Sequence, residues 1–391
     1  MLKLELRDRI KDAATKSEAY VRSQDYRGYD PYDALTSPLF RWPLLRSWKL
    51  ARWGTQQVVK RLPFQVRPLL GIRKRTNPVT LGLALQAMTY LDAADGATGR
   101  RPEAVALVKR LSDMRSQGWS GSCWGYDFDW EARYARIPAW HPTVVATGFV
   151  TNSLFEACSY YRIDEAGALV RDAAAFVLED LNRTRTSPGF CWSYSPTDSQ
   201  EVLNATMKGA RLLAQAVALG GEHAWLDQAA ETIDFVSSRQ REDGAWPYSV
   251  SDPRSWVDHF HTCYILDCLD EFMTLTGRRV WQQTFDRGVA YYLEHFFAPT
   301  GAPKYYDRSL YPIDATCCGQ ALLSLVRFGR PDMAASTAAW ILDHMAKPNG
   351  SFKFQINSRY ENRLEYMRWS TCWIFAGLSR LALELNKESP A

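Results

Sequence analysis

QREDGAWPYS, residues 240 to 249, sets a tight turn between an amphipathic stretch and a tryptophan. A glycine there supplies a positive φ or a sharp reversal, with Trp246 and Tyr248 directly behind it. The device recurs. Glycine followed by aromatic residues returns in GWSGSCWGYDFDW (118 to 130), PGFCWSYS (188 to 195), GAPKYYD (301 to 307) and NGSFKFQ (349 to 355). From Gly189 the spacings are 55 to Gly244, 57 to Gly301 and 49 to Gly350, each the length of one helical hairpin. A period of this size marks an array of supersecondary units.

A second series runs in step with the first. NPVTLGLALQAMTYL, HPTVVATGFVTNSLF, NATMKGARLLAQAVA, FHTCYILDCLDEF, DATCCGQALLSLV and WSTCWIFAGLSRLAL each place a threonine ahead of a long apolar helical pattern. The threonines are Thr80, Thr143, Thr206, Thr262, Thr316 and Thr371, with steps of 63, 63, 56, 54 and 55. Asn or Asp ahead of several of these helices suits an N-cap, because a short side-chain oxygen accepts the orphan amides of the first turn. Between them lie more charged helices such as EAGALVRDAAAFVLEDL and VWQQTFDRGVAYYLEHFF, apolar at three- and four-residue intervals as expected of one buried face. Six pairs close into a ring. The expected fold is therefore all-α, an (α/α)6 toroid over residues 76–391 with the threonine-led helices inside, preceded by a basic N-terminal helical extension over 1–75.

Composition agrees with a globular chain: 391 residues, 46% hydrophobic and 23% charged. The N-terminus carries charge throughout and lacks a signal-peptide core, and no uncharged run reaches the length of a membrane span, so a cytoplasmic location is expected. Eight cysteines without a CxxC, two of them adjacent at 317 and 318, read as reduced packing residues. No metal site and no cofactor are expected: His259 and His261 have one residue between them, unlike the i,i+4 pair of a helical zinc site. The charge is unevenly spread. No acidic residue falls between Asp33 and Asp92, where Arg41, Arg46, Lys49, Arg52, Lys60 and Arg61 are interleaved with Trp42, Trp48 and Trp53. Residues 41–75 thus suit a peripheral contact with an anionic membrane at its inner face, or a solvated face. No nucleic-acid-binding motif accompanies the charge.

QREDGAW fits the QxxxGxW core of the repeat found in squalene and hopene cyclases, whose toroid resembles that of the six-hairpin glycosidases. The stretches DPYDALTSPLF, RPLLGIRKRTNPVTLGL, SWVDHFHTCYILDCL, LYPIDATCCGQAL and EYMRWSTCWIFAGL are similar to a family encoded with bacterial exopolysaccharide and surface-glycan genes, described as polysaccharide biosynthesis proteins. That resemblance implies the toroid and a glycan pathway, with a glycan or lipid-linked oligosaccharide as partner.

In a toroid the N-termini of the inner helices converge on one mouth. His141, Asn204, His261, Asp314 and Trp369 lie one or two residues before their threonines, with Asp258, His259, Glu365, Tyr366 and Arg368 a little further back. The loop 118 to 130 adds Trp124, Tyr126, Asp127, Asp129 and Trp130. Aromatic faces stack on sugar rings while carboxylates bind hydroxyls or move protons. Asp258, His259, His261, Asp314 and Tyr366 are the expected catalytic groups. Trp124, Asp127, Asp129, His141, Asn204, Trp246, Tyr248, Lys304, Tyr306, Glu365, Arg368 and Trp369 are the expected substrate contacts. Each has a plainer role available: the histidines as core groups, Asp314 as an N-cap, Asp127 and Asp129 as loop caps, Arg368 as a partner of Glu365.

Three chemistries compete. Uronic-acid C5 epimerisation or elimination needs a base for the proton beside the carboxylate and a cation or amide, Arg368, Asn204 or His141, to neutralise that carboxylate. Glycoside hydrolysis needs two carboxylates, Asp314 with Asp127, Asp129 or Asp258. Terpenoid cyclisation needs an acid motif that is incomplete here. A non-catalytic glycan-binding or scaffold subunit is the fourth reading. Uronate chemistry is preferred over hydrolysis, with cyclisation last among the enzymes.

Overall fold

The computed structural model describes residues 2–131, 136–250 and 256–387. Six inner helices form one layer: α4 (Pro78–Asp95), α6 (Val144–Tyr161), α8 (Leu203–Ala218), α10 (His259–Thr276), α12 (Ala315–Arg327) and α14 (Trp373–Lys387). They are buried almost all round. In α4 every residue from Pro78 to Asp92 is buried, as befits a helix enclosed on both sides. α14 packs on both α12 and α4, which closes the ring. The expected (α/α)6 toroid is the fold.

The outer layer carries α5 (Arg101–Asp113), α7 (Asp164–Ala175), α9 (Trp225–Ser237), α11 (Gln282–His295) and α13 (Pro331–His344). Each buries one stripe, in α5 Ala104, Leu107, Val108 and Leu111. The sixth outer helix comes from the other end of the chain. α1 (Leu2–Ser23) packs on α13, α14 and α4, with Ile10, Ala14, Ser17 and Val21 buried. The division at residue 75 therefore does not describe α1, which is a wall of the ring. The outer place beside α14 is filled by α1, which packs on α14 and α13.

The turn glycines report the same closure. Gly244 has φ +94, and a Cβ there would meet the carbonyl of Arg287 on α11 at 2.5 Å. Gly350 has φ +85, and its Cβ would strike the carbonyl of Lys16 on α1. Each turn thus lies against the next outer helix, and for the last turn that helix is α1. Gln240 completes the joint: its Nε2 donates to the carbonyls of Gly244 and Thr284 at 3.0 and 2.9 Å, and its Oε1 accepts from Arg287 at 2.7 Å. The glutamine, glycine and tryptophan that opened the reading are therefore a clamp between outer helices.

Among the described residues two α-helices remain, α2 (Pro43–Ser47) and α3 (Lys49–Arg61), which form a strap over the end of the ring where the inner helices begin. Three small antiparallel sheets line the same end, the largest joining Ile313–Asp314, Gln355–Ile356 and Glu361–Asn362. Among the described residues, no helix is long and apolar enough to cross a membrane. All eight cysteines are free, and all but Cys158 are buried.

Candidate active site

The inner-helix N-termini enclose a cavity of about 490 Å³, closed on one side by α3. Capping explains how its side chains are set. Asp258 is the N-cap of α10, accepting the amide of His261 through Oδ1 at 3.0 Å. Its other oxygen, Oδ2, sits 2.6 Å from His261 Nδ1 and accepts from the Trp256 indole at 2.9 Å. One buried carboxylate therefore starts the helix and fixes the imidazole. With Nδ1 taken, Nε2 is the remaining nitrogen; it makes no hydrogen bond among the described residues, and His261 lines the cavity. Tyr248 packs against the ring at 4.6 Å and is itself stacked on Trp256.

Asn204 faces the same cavity from α8. It stands one residue inside the helix, so it does not cap it. Its Oδ1 is buried without a hydrogen-bond partner among the described residues, a condition that costs free energy unless a ligand or water supplies a donor.

Arg368 and Trp369 lie on a π-helical turn, Met367–Cys372, that leads into α14; such turns re-aim side chains. Arg368 grips Asp30 with two bonds of 2.6 and 2.9 Å and lies against the rings of Tyr126 and Trp369. Burial opposes its charge, but Asp30 outweighs that, leaving the guanidinium firmly protonated. Its partner is thus Asp30, not Glu365. Burial pushes the phenols of Tyr194, Tyr264 and Tyr305, all on the cavity wall, well above the ordinary tyrosine value. They are proton donors at neutral pH.

Of the expected site residues, Asp258, His261, Asn204, Tyr248, Tyr306, Arg368 and Trp369 line this cavity. The others do not. His259 is fully buried, its Nδ1 2.9 Å from the Lys304 carbonyl and its Nε2 2.9 Å from Tyr292 Oη; burial lowers its pKa to about 4. It points into the wall because residues two apart on a helix face nearly opposite ways, about 200° around the axis, and His261 takes the cavity side. Asp314 caps α12 and is saturated by Thr316 N, Gln355 and the Trp369 indole, so it serves to hold Trp369. Tyr366 is buried against Phe354 and accepts from Arg67 at 3.0 Å.

Trp124 and Trp246 are core tryptophans whose indoles donate to the Leu111 and Val236 carbonyls at 2.8 and 2.9 Å. Asp127 binds Asn77 and Arg75 beside α4, and Asp129 accepts from Ala139 N. His141 meets Thr197 at 3.1 Å, Lys304 donates to the Asp307 carbonyl, and Glu365 is shared by Lys347, Ser351 and Tyr20.

What the sequence reading missed is the strap. Trp53, Gln56, Gln57 and Lys60 line the cavity from one face of α3. Arg52 pairs with Glu131 at 2.7 Å, Gln56 exchanges bonds with the Glu131 backbone, and Lys60 reaches Tyr32 Oη at 2.5 Å. The basic run is thus partly turned inward. The signal was present: 53, 56, 57 and 60 are one helical face.

No family model matches the chain, and no curated protein matches it by sequence. Solved structures do match in fold. Cellobiose 2-epimerase from Bacillus thermoamylovorans superposes with a TM-score of 0.63 at 12% identity, over 82% of this chain and 90% of its own. An unsaturated glucuronyl hydrolase specific for heparin gives 0.63 at 13% identity, over 97% and 98%. A GH76 α-mannanase from Bacteroides thetaiotaomicron gives 0.59 at 11%, over 78% and 86%. These proteins share the toroid with this chain, and all three are named for carbohydrate chemistry.

Proposed function

We propose that this protein is a carbohydrate-active enzyme that moves a proton on a sugar ring, with uronic-acid C5 epimerisation or elimination as the preferred reaction. The observation that carries the reading is the Asp258 and His261 pair, 2.6 Å apart, with Nε2 left open on a cavity walled by aromatic rings. Asp258 holds Nδ1 protonated, which makes Nε2 the lone-pair nitrogen and the base. The flat rings of Tyr248, Trp256 and Trp369 suit the apolar faces of a pyranose. Arg368, its charge balanced by Asp30, lines the cavity where a uronate carboxylate would sit and can offer it a hydrogen bond, and Tyr264, beside His261 and held protonated, is placed to return a proton.

Hydrolysis is less well supported by the same wall. Among the described residues lining the cavity the carboxylates are Asp258 and Glu131, and each is committed, to His261 and to Arg52. Asp314, the acid a terpenoid cyclase would need, is saturated and off the cavity. The finer form of the proposal follows the sequence resemblance: a step in bacterial surface-polysaccharide biosynthesis, at the cytoplasmic face of a membrane, on a glycan that a lipid can carry.

The test is proton exchange in deuterated water across a panel of uronic-acid glycans, with C5 deuterium read by NMR. Incorporation that His261→Ala abolishes and Asp258→Asn depresses supports the proposal. New reducing ends without incorporation would transfer it to hydrolysis, and binding without either would favour a scaffold.

A further inference from the structure

The strap has two faces. Its inner face, with Trp53, Gln56 and Lys60, belongs to the cavity wall. Its outer face is apolar and exposed: Trp42 on the approach to α2 and Leu44 within it, Trp48 and Leu50 at the start of α3, Val58 near its end. Leu44 is 76% exposed, Trp42 68% and Leu50 66%. Beyond α3 the same character continues in Phe64 and Leu69, the latter 88% exposed.

This is a concentration, not background. Half of the large apolar residues exposed among the described ones fall between Leu39 and Leu69. A soluble surface carries such residues singly; a contiguous set marks an interaction surface. Its charge states which kind. Arg41, Arg46, Lys49, Arg61, Arg73 and Lys74 are exposed in and around the same segment, and no acidic residue lies between Asp33 and Asp92. Tryptophan and leucine interleaved with arginine and lysine, on short helices lying across the molecule, is the composition of an interfacial segment on anionic lipid.

The segment is also held firmly from beneath. Arg67 is fully buried and paired with Asp33 at 2.6 Å, Arg52 is paired with Glu131, and Asn362 donates to the Leu62 carbonyl. The apolar residues therefore stay on the outer side and have no inward route to burial.

We infer that the outer face of α2 and α3 seats in the interface of an anionic bilayer, with the cavity directly behind the strap, so that the sugar chemistry takes place at a membrane surface. The inference deepens the glycan reading of the cavity and rests on it for its consequence, but not for the docking itself. Leu44, Trp48 and Leu50 enter the headgroup region, and Arg41 and Arg46 meet lipid phosphates.

Flotation of the full chain with phosphatidylcholine vesicles, with and without phosphatidylglycerol, tests it. The expected result is binding that requires phosphatidylglycerol, weakens with added salt, and falls at least tenfold in a Leu44→Glu, Trp48→Glu, Leu50→Glu variant. An Arg41→Gln, Arg46→Gln variant, which leaves every apolar side chain in place, is expected to bind the anionic vesicles at least tenfold more weakly than the parent. Equal binding to both vesicle types, undiminished binding by the first variant, or a dimer in sedimentation that this variant splits without any vesicle binding by the parent would each overturn the inference. Exchange on a water-soluble glycan separates the two proposals. Vesicle binding without exchange sinks the sugar chemistry and leaves the docking standing, whereas exchange without vesicle binding does the reverse.

Discussion

The two halves of the ring's interior are built from the same helices and differ in character: one is walled mainly by aromatic rings, the other mainly by ionic groups. The half where the inner helices begin holds the aromatic cavity, with His261 Nε2 and Asn204 Oδ1 unpartnered among the described residues. The other half holds a cavity of about 370 Å³ where most ionic groups pair with one another, although Arg211 Nε and Gln215 Oε1 lack a hydrogen-bond partner among the described residues. There Arg327 bonds Glu271 and Asp270 at 3.2 and 3.3 Å, Gln320 and Ser324 bond Asp267, and Gln215 bonds Glu271 at 2.6 Å. Phe149, Tyr264 and Trp373 line both cavities. Charge by itself therefore does not identify the site. A largely paired network specifies a fold, while an open valence on an aromatic, sugar-sized cavity leaves something for a ligand to complete.

The comparison can be broken from either side, and the largest effect is expected at the mouth. His261→Ala removes the open nitrogen and is expected to lower turnover on the order of 10³-fold with the thermal midpoint nearly unchanged. Steady-state kinetics beside calorimetry reads both. In the far half the signature inverts. Arg327→Met leaves Glu271 and Asp267 short of a partner and is expected to cost about 3 kcal/mol of stability in urea titration, while the folded fraction keeps its kcat.

His259 offers a contrast within a single turn of helix. Its folded pKa of about 4 lies below the ordinary 6.5, so the unfolded chain takes up the proton first and stability falls as pH drops from 6.5 towards 4. The full loss is on the order of 3 kcal/mol, and His259→Gln is expected to flatten that limb in denaturant midpoints measured across the range. A second pH-dependent contrast lies at Lys208. Its ammonium lies on the rings of Phe149 and Tyr264, at 3.6 and 4.0 Å, with no ion pair among the described residues. Burial lowers its pKa to about 7, so the unfolded chain is the more protonated between 7 and 10.5 and stability rises with pH over that window. Lys208→Met is expected to gain about 1 kcal/mol at pH 7 and to abolish the rise, which urea midpoints at neutral and alkaline pH would report.

The fold was legible because it repeats. A glycine turn and a threonine-led apolar helix returning every 49 to 63 residues leave few arrangements besides a ring of hairpins. What repetition could not show is which end of the chain fills the last outer place, since α1 shares no motif with α13 and joins the ring through contacts to Gly350 and α14 that sequence does not display.

The site was legible in outline. The expectation that inner-helix N-termini share a rim placed Asp258, His261, Asn204, Arg368 and Trp369 on the cavity. It failed where helical phase decides. His259 and His261 are alike in composition and neighbourhood, yet only one faces inward. Trp124 and Trp246 failed for another reason: an indole beside a turn can stack on a sugar or tie off a helix, and here both give their N–H to a preceding outer helix. Residues 41–75 read as an anionic-membrane contact or a solvated face, and that outward reading hides the inward one, in which Trp53, Gln56, Gln57 and Lys60 line the cavity.

The most direct measurement is solvent-deuterium incorporation at sugar C5 in the parent chain, His261→Ala and His259→Gln, with the same uronic-acid glycans. Incorporation by the parent and by His259→Gln, and none by His261→Ala, is the result expected of a base set by Asp258 on an open cavity. Incorporation that survives in His261→Ala would contradict it and remove the proposed base from the reaction.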